Sequence, residues 1–380
     1  MIYLDNAATT YPKPPQTIKA MEAYLREGSA NPGRGGHQMT LNAGRAVLRV
    51  REQIAEFISA DYPERVIFTS SATESLNLAM LGSLKRGDHL IITSMEHNAV
   101  ARPAFRLKSI GVELDVVDAD KFGLIDPSDI ARRIKTNTRM VAMVHASNVT
   151  GGIMPIRDIG YICRNRGICF LLDASQTAGV LPLDVRDMDI DLLAFPAHKG
   201  LYGPPGIGVL YISPGIELDP IKFGGTGSQS DSLEMPHQLP DRYEAGTQNT
   251  VGIAGLGAGV EFIQQTGIDN IFAHEQSLTE HLINGLRGTN RIEIYGPREL
   301  DERVGVVSFN IQGMDASEVG LILDQVYNIA VRVGLHCAPL AHKTLGTLEK
   351  GSLRASFSFF NTEEEVDQLI SAVHEIIREY

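Results

Sequence analysis

Through the middle of the chain, short apolar runs alternate with longer helical patterns. Val66–Phe68, Leu90–Ile92, Met140–Val144, Cys169–Leu172 and Leu192–Phe195 are apolar without a polar face, which predicts strands buried on both sides. Between them, stretches such as Glu74–Lys85 and Ile156–Asn165 carry helical patterning. Repeated strand–helix–strand order predicts a mostly parallel sheet with helices on both faces. In such sheets ligands bind beyond the carboxyl ends of the strands. The residues that follow each run are therefore the first place to look for chemistry.

Past about residue 256 the rhythm changes. Val304–Ile311 and Leu353–Phe359 alternate as half-exposed strands do. Glu363–Tyr380 sets Val366, Leu369, Ile370, Val373, Ile376 and Ile377 on one helical stripe. This predicts a smaller α+β domain closed by a terminal helix. The expected division is residues 14–255 for the large domain and 256–380 for the small one, with segment 1–13 packing on the small one. Gly255-Leu256-Gly257-Ala258-Gly259 lies in a helical pattern and reads as close helix packing, not as a nucleotide loop. The Gly- and Ser-rich stretch Phe223–Ser232 is the expected mobile loop.

Composition narrows the classes. The chain has 380 residues, of which 43% are hydrophobic and 21% charged, so a sizeable core can be buried and disorder is not expected. A net charge of -12 without a basic run argues against a nucleic-acid partner. No apolar stretch reaches membrane-spanning length, and the first residues do not read as a signal peptide. The three cysteines, Cys163, Cys169 and Cys337, suit a reduced cytoplasm better than a disulfide framework. They lack metal-ligand spacing. Cys163 and Cys169 read as core or helix-end residues.

The strand ends carry the candidates. Thr69-Ser70-Ser71-Ala72-Thr73-Glu74 offers small hydroxyl residues and a helix start, either an anion cradle or an ordinary Ser71-x-x-Glu74 capping box. His97 follows another run and would stack on an aromatic ligand, shuttle a proton, or simply sit at the surface. Asn148 lies in a polar turn after Val144 and offers a hydrogen-bonding group to a ligand oxygen. Asp173 directly follows Phe170-Leu171-Leu172, at the mouth of a buried strand. A carboxylate buried there needs a cation. A protonated pyridine nitrogen fits, as in pyridoxal-phosphate sites, whereas a metal would need further ligands that the neighbouring segments do not offer. Lys199 follows the run ending at Phe195 and precedes a Gly/Pro-rich turn. A desolvated lysine is a nucleophile and a Schiff-base former. Together Asp173 and Lys199 match one ring nitrogen and one aldehyde carbon.

Taken in order, these residues resemble the class V, fold-type I pyridoxal-phosphate enzymes, and within them the cysteine desulfurases and selenocysteine lyases. The resemblance runs from Tyr3-Leu4-Asp5-Asn6-Ala7-Ala8-Thr9-Thr10 through Thr69–Asn77, Glu96-His97-Asn98, Ser147–Gly151, Asp173–Gln176 and His198-Lys199. It continues to Arg242–Thr247 and Leu353-Arg354-Ala355-Ser356. It implies a pyridoxal 5'-phosphate site with Lys199 as the Schiff-base lysine. Asp173 would pair with the ring nitrogen, Gln176 bond the ring hydroxyl, and His97 stack on the ring. Ala72 and Thr73, assisted by His198, would hold the phosphate. Asn148 would lie near the ring hydroxyl and the substrate carboxylate, and Arg354 would grip that carboxylate. Thr247 would reach the phosphate of a neighbouring subunit, which implies a homodimer.

Val331-Arg332-Val333-Gly334-Leu335-His336-Cys337-Ala338-Pro339 resembles the catalytic-cysteine loop of the SUF-type desulfurases. The implied reaction converts L-cysteine to L-alanine, leaves a persulfide on Cys337, and passes it to an acceptor protein. Arg332 and His336 would help stabilise the thiolate, and the loop is expected to move between substrate and acceptor. Three places depart from the resemblance, one of them the continuation Ala338-Pro339-Leu340-Ala341-His342-Lys343. Pro196 stands where such enzymes usually carry Ser, and Leu335 replaces the first His of a usual pair. The alternatives are a class V aminotransferase or a selenocysteine lyase on the same fold. A cofactor-free scaffold in sulfur trafficking is a third, against which Lys199, Asp173 and Arg354 together argue.

Overall fold

The computed structural model describes residues 1–27, 30–32 and 37–379. Strand β1 (Ile2–Tyr3) opens the chain. Seven strands then build the central sheet: β2 (Val66–Thr69), β3 (His89–Thr93), β4 (Glu113–Val117), β5 (Thr138–Val144), β6 (Cys169–Asp173), β7 (Leu192–Pro196) and β8 (Gly208–Ile212). Their spatial order is β2-β8-β7-β6-β5-β3-β4. All run parallel except β8, which is antiparallel to both neighbours. The reason lies in the connection. No helix separates β7 from β8, and a crossover is what parallel neighbours require.

The uninterrupted apolar runs are explained by burial on both faces. Along β3, Leu90 and Ile92 point into one core with Leu76, Met80 and Val100 from the helices Ala72–Ser83 and Asn98–Ser109. Ile91 points into the other, with Ile54, Ile159 and Leu256 from the helices Gln38–Phe57, Ile156–Arg166 and Thr250–Thr266. Two strands were not among the predicted runs. β4 lies at the sheet edge and is mostly half-exposed, so it shows no continuous apolar signal. β8 is wholly buried but follows a Gly/Pro-rich turn instead of a helix.

The later strands are β9 (Ile292–Tyr295), β10 (Val306–Ile311), β11 (Ile329–Ala330), β12 (Arg332–Gly334) and β13 (Ser352–Ser356). Four of them form an antiparallel sheet in the order β12-β13-β10-β9, while β11 pairs with β1. The half-exposed reading of Val304–Ile311 and Leu353–Phe359 is corrected here. β10 and β13 do alternate, with Val307, Phe309, Ile311, Leu353 and Ala355 facing a core closed by the helix Glu363–Glu379. Their polar faces are also buried, because they pack against the rest of the protein and not against water. Ser308 Oγ, for instance, donates to the Val149 carbonyl at 2.6 Å. The terminal stripe buries Val366, Leu369, Val373 and Ile376, whereas Tyr380 lies outside the described residues.

Segment 1–13 bridges the two cores. Leu4 packs with the residues around β10 and β13, and Thr10 N donates to the His198 carbonyl at 3.0 Å. The helix Thr250–Thr266 runs unbroken across the expected 255/256 boundary. Its Gly255, Gly257 and Gly259 lie against Met21, Val50 and the Leu201 carbonyl with no room for a side chain, the close packing their pattern predicts. No helix among the described residues is long and apolar enough to cross a membrane. Cys163 is buried and Cys169 half-buried, and both thiols are raised by burial, Cys163 to about 12.

Candidate active site

Five ends of parallel strands, and the polar face of the second sheet, converge on one cavity of about 210 Å³. β2 leads into the helix Ala72–Ser83. Ser71 caps it, its Oγ accepting from Glu74 N at 3.3 Å, while Glu74 Oε2 accepts from Ser70 N at 2.6 Å. The expected capping box is thus shifted by one residue on its return bond. The cap leaves the first two amides, those of Ala72 and Thr73, without intrahelical acceptors at the cavity wall. Gly208 of β8 makes this placement feasible, since a Cβ there would stand 2.7 Å from Ala72 N.

β6 ends in Asp173, 2% exposed. Its Oδ1 accepts from Ser175 N at 3.0 Å and from Ser175 Oγ. Among the described residues it has no ion-pair partner within 4.0 Å, so it is a buried anion facing a cavity. Such a group needs a cation. β7 ends at Pro196, and a tight turn carries His198 and Lys199 into the same space. Gly200 lets the turn press on its neighbour, since a Cβ there would stand 2.5 Å from the Ala178 carbonyl. The His198 carbonyl is held by Thr10 N at 3.0 Å and by Lys13 Nζ at 2.7 Å. Burial brings the Lys199 amine down to about 8, against the opposing pull of Asp173 and with help from Arg354 and Arg332.

His97 caps the helix Asn98–Ser109, its Nδ1 accepting from Ala99 N at 3.0 Å. Burial lowers it to about 4 despite Asp173, so near neutral pH the ring is uncharged, with its proton on Nε2. An uncharged, half-buried ring in the cavity wall suits stacking. His198 is likewise lowered to about 4, by burial and then by Lys199 and Lys13. Beside His97, Glu96 is fully buried and raised to about 8, chiefly by burial.

Two expected ligand-binding amides are already engaged. Gln176 Nε2 donates to the Ala7 carbonyl at 3.1 Å. Asn148 Nδ2 donates to the His336 carbonyl at 2.7 Å, while its Oδ1 is buried without a partner. Arg354 projects from the polar face of β13 and is engaged as well, by Asp5 Oδ1 at 2.6 Å and by the Asn148 carbonyl at 3.0 Å. Sequence reasoning missed Asp5 in this role. It lies within a recognised segment, but no spacing links it to Arg354.

Cys337 is exposed and lines the same cavity. In this conformation its loop is tied at three points, which any movement of it would have to release. Asn98 N donates to the Cys337 carbonyl at 2.8 Å, Asn148 holds that of His336, and the buried His336 ring meets Ser352 Oγ at 3.1 Å. His336 and Cys337 are both left-handed, with φ of 48° and 57°, so these ties hold a strained turn. His336 is pushed down to about 2, mainly by burial, and so carries no charge to the thiol. Of the two residues expected to stabilise the thiolate, Arg332 is the one that carries charge, and it lines the cavity.

Of the expected residues, Ala72, Thr73, His97, Asn148, Asp173, Gln176, His198, Lys199, Cys337 and Arg354 share this cavity. Thr247 does not. It borders a separate outward hollow of about 600 Å³ with Thr226 and Asp241. Glu244 anchors that edge through a bidentate pair with Arg51, at 2.7 and 2.9 Å.

A family model for class-V aminotransferases matches residues 2–369. A probable cysteine desulfurase of Methanothermobacter thermautotrophicus is 38% identical over 99% of this chain and 94% of its own length. One from Pyrococcus abyssi is 38% identical over 100% of this chain and 94% of its own. The solved apo structure of a cysteine desulfurase from Thermococcus onnurineus NA1 superposes with a TM-score of 0.94 at 36% identity, covering 100% of this chain and 95% of that one.

Proposed function

The chain belongs to the class-V aminotransferase family, and from that premise we propose that it is a pyridoxal 5'-phosphate-dependent cysteine desulfurase. The observation that carries this reading is the exposed thiol of Cys337 on the cavity that also holds Lys199, Asp173 and Arg354. The residues fit the cofactor. The buried, unpaired carboxylate of Asp173 suits a protonated ring nitrogen, the free amides of Ala72 and Thr73 suit a phosphate, and the His97 ring suits an aromatic face. When bound through Lys199, the cofactor supplies an electron sink for the substrate Cα.

The chain's own groups do the rest. Arg354 draws the carboxylate of L-cysteine into the cavity. The Lys199 amine, brought near 8 by burial, takes the Cα proton at physiological pH. Cys337, as thiolate, attacks the substrate sulfur. The new S–S bond forms as the Cβ–S bond breaks, and its electron pair stays with Cβ; protonation of Cβ and return of a proton to Cα from Lys199 give L-alanine. The products are L-alanine and a Cys337 persulfide, so no outside oxidant or reductant is needed. Because the Cys337 thiol is exposed, an acceptor protein can reach it at the surface.

Thr247, away from its own chain's cavity on an outward hollow, suits contact with a second copy's phosphate site, so the proposed form is a homodimer. The exposed Phe223 and Leu233 nearby in the chain, 74% and 106% accessible, suit the same interface. Three unpaired cysteines, one an exposed nucleophile, suit a reducing cytoplasm.

The test is to offer L-cysteine to the purified protein and measure alanine together with a persulfide on Cys337. Cys337→Ala is expected to keep the cofactor's absorbance but form no persulfide and release no more than a trace of alanine. Full alanine release by that variant would sink the desulfurase reading. Accumulation of the aminated cofactor with a keto-acid product would favour an aminotransferase.

A further inference from the structure

The guanidinium assigned to the substrate carboxylate already holds a carboxylate. Arg354 is 2% exposed. Its Nη2 donates to Asp5 at 2.6 Å, its Nη1 to the Asn148 carbonyl at 3.0 Å, and its Nε is buried without a partner. A carboxylate arriving on Arg354 therefore meets Asp5 on the same group. Two anions on one buried guanidinium repel, and one of them has to give way.

Asp5 is built to yield. Its backbone is fixed beside Arg354 through the bridge to Ser356. Its side chain is 21% exposed and has no other ion-pair partner among the described residues. The place for its charge is Arg332. That residue pairs across the sheet with Arg354, lines the same cavity, and its side chain has no hydrogen bond or ion pair among the described residues.

We propose that Asp5 is a resident stand-in for the substrate carboxylate, holding Arg354 in place while the site is empty and exchanging with the α-carboxylate when an amino acid enters. This rests on the reading of Arg354 as the carboxylate site. In the empty site Asp5 spares Arg354 the cost of an unpaired buried charge. In the occupied site its charge is carried by Arg332. A ligand without a carboxylate, such as cysteamine, has nothing to exchange and leaves the Asp5–Arg354 pair closed. Asp5 therefore weakens every carboxylate ligand by the cost of exchange, and leaves the affinity of amines and thiols that lack a carboxylate unchanged.

Propionate, which has neither amine nor thiol, isolates this step from the chemistry. In the holoenzyme, Asp5→Asn is expected to bind propionate roughly tenfold tighter or more, followed by ligand-induced thermal shift. Asp5→Glu keeps the competitor and is expected to stay within a few-fold of the unmodified protein. Arg354→Gln is expected to lose propionate binding. If Arg354→Gln binds propionate unchanged, the carboxylate-site reading falls and the exchange with it. If Arg354→Gln loses it but Asp5→Asn binds no tighter, the exchange alone falls. Should Asp5→Asn fail to fold, a crystal of the unmodified holoenzyme with propionate decides the matter. An Asp5–Arg354 contact opened beyond hydrogen-bond distance supports the exchange, and an intact one overturns it.

Discussion

Lys199 shows how neighbouring groups set the behaviour of one residue. Burial lowers its amine from 10.5 to about 8, and Asp173 resists that fall. In cofactor-free protein, labelling of Lys199 by an amine-reactive reagent should therefore rise with a midpoint near 8. Asp173→Asn removes the opposing anion, so the midpoint should move lower still. A midpoint that rises would show that the carboxylate is not felt at the amine. The linkage has a definite sign. A depressed folded-state pKa means stability present above 10.5 that is lost as pH falls through about 8. His97, lowered to about 4, stays neutral through that window and contributes no step to it. Lys199 and Asp173 were legible in the sequence because a polar residue directly after a buried run is physically exceptional. Asp5 was not legible, because its partner stands 349 residues away and nothing local betrays the pairing.

Elements place these residues, and the close approach of β8 to the helix Ala72–Ser83 is the narrowest fit among them. A Cβ on Gly208 would press on the Ser71 carbonyl carbon and on Ala72 N. Gly208→Ala should shift the helix start, weakening cofactor retention by tenfold or more and costing about 1–3 kcal/mol of stability. Dialysis against a cofactor-free buffer and a thermal melt would check both. An alanine variant that retains cofactor as tightly as the unmodified protein would show that the amide cradle does not depend on this contact. The predicted strands fell close to their observed positions because burial on both faces writes a continuous apolar run. β4 was silent, since an edge strand keeps polar positions. The alternation in β10 and β13 was read correctly as period two, but its polar face was assigned to water. A sequence does not distinguish a polar face that meets solvent from one that meets another part of the same protein. Arg354 owes its place to that buried polar face.

At the scale of the whole molecule, Arg303 ties the loop after β5 to the second sheet. It is 1% exposed and donates to the carbonyls of Pro297, Thr150, Tyr295 and Val306, with no ion-pair partner among the described residues. Burial draws it down to about 10. Arg303→Met should leave these carbonyls unsatisfied and cost about 3 kcal/mol or more, read as a drop in the denaturant midpoint. A change below about 0.5 kcal/mol would mean that water or backbone adjustment satisfies them instead.

The polar face of β13, buried against the rest of the protein, has one more consequence. Lys199 stands on the central sheet and Arg354 on the second, so a molecule held by both spans a seam. Such a ligand acts as a rivet. Its departure rate is then bound to how often the seam parts, and any agent that pries the two sheets open, whether heat, pressure or a protease seeking a nick, should be slowed by an occupied site out of proportion to the ligand's size.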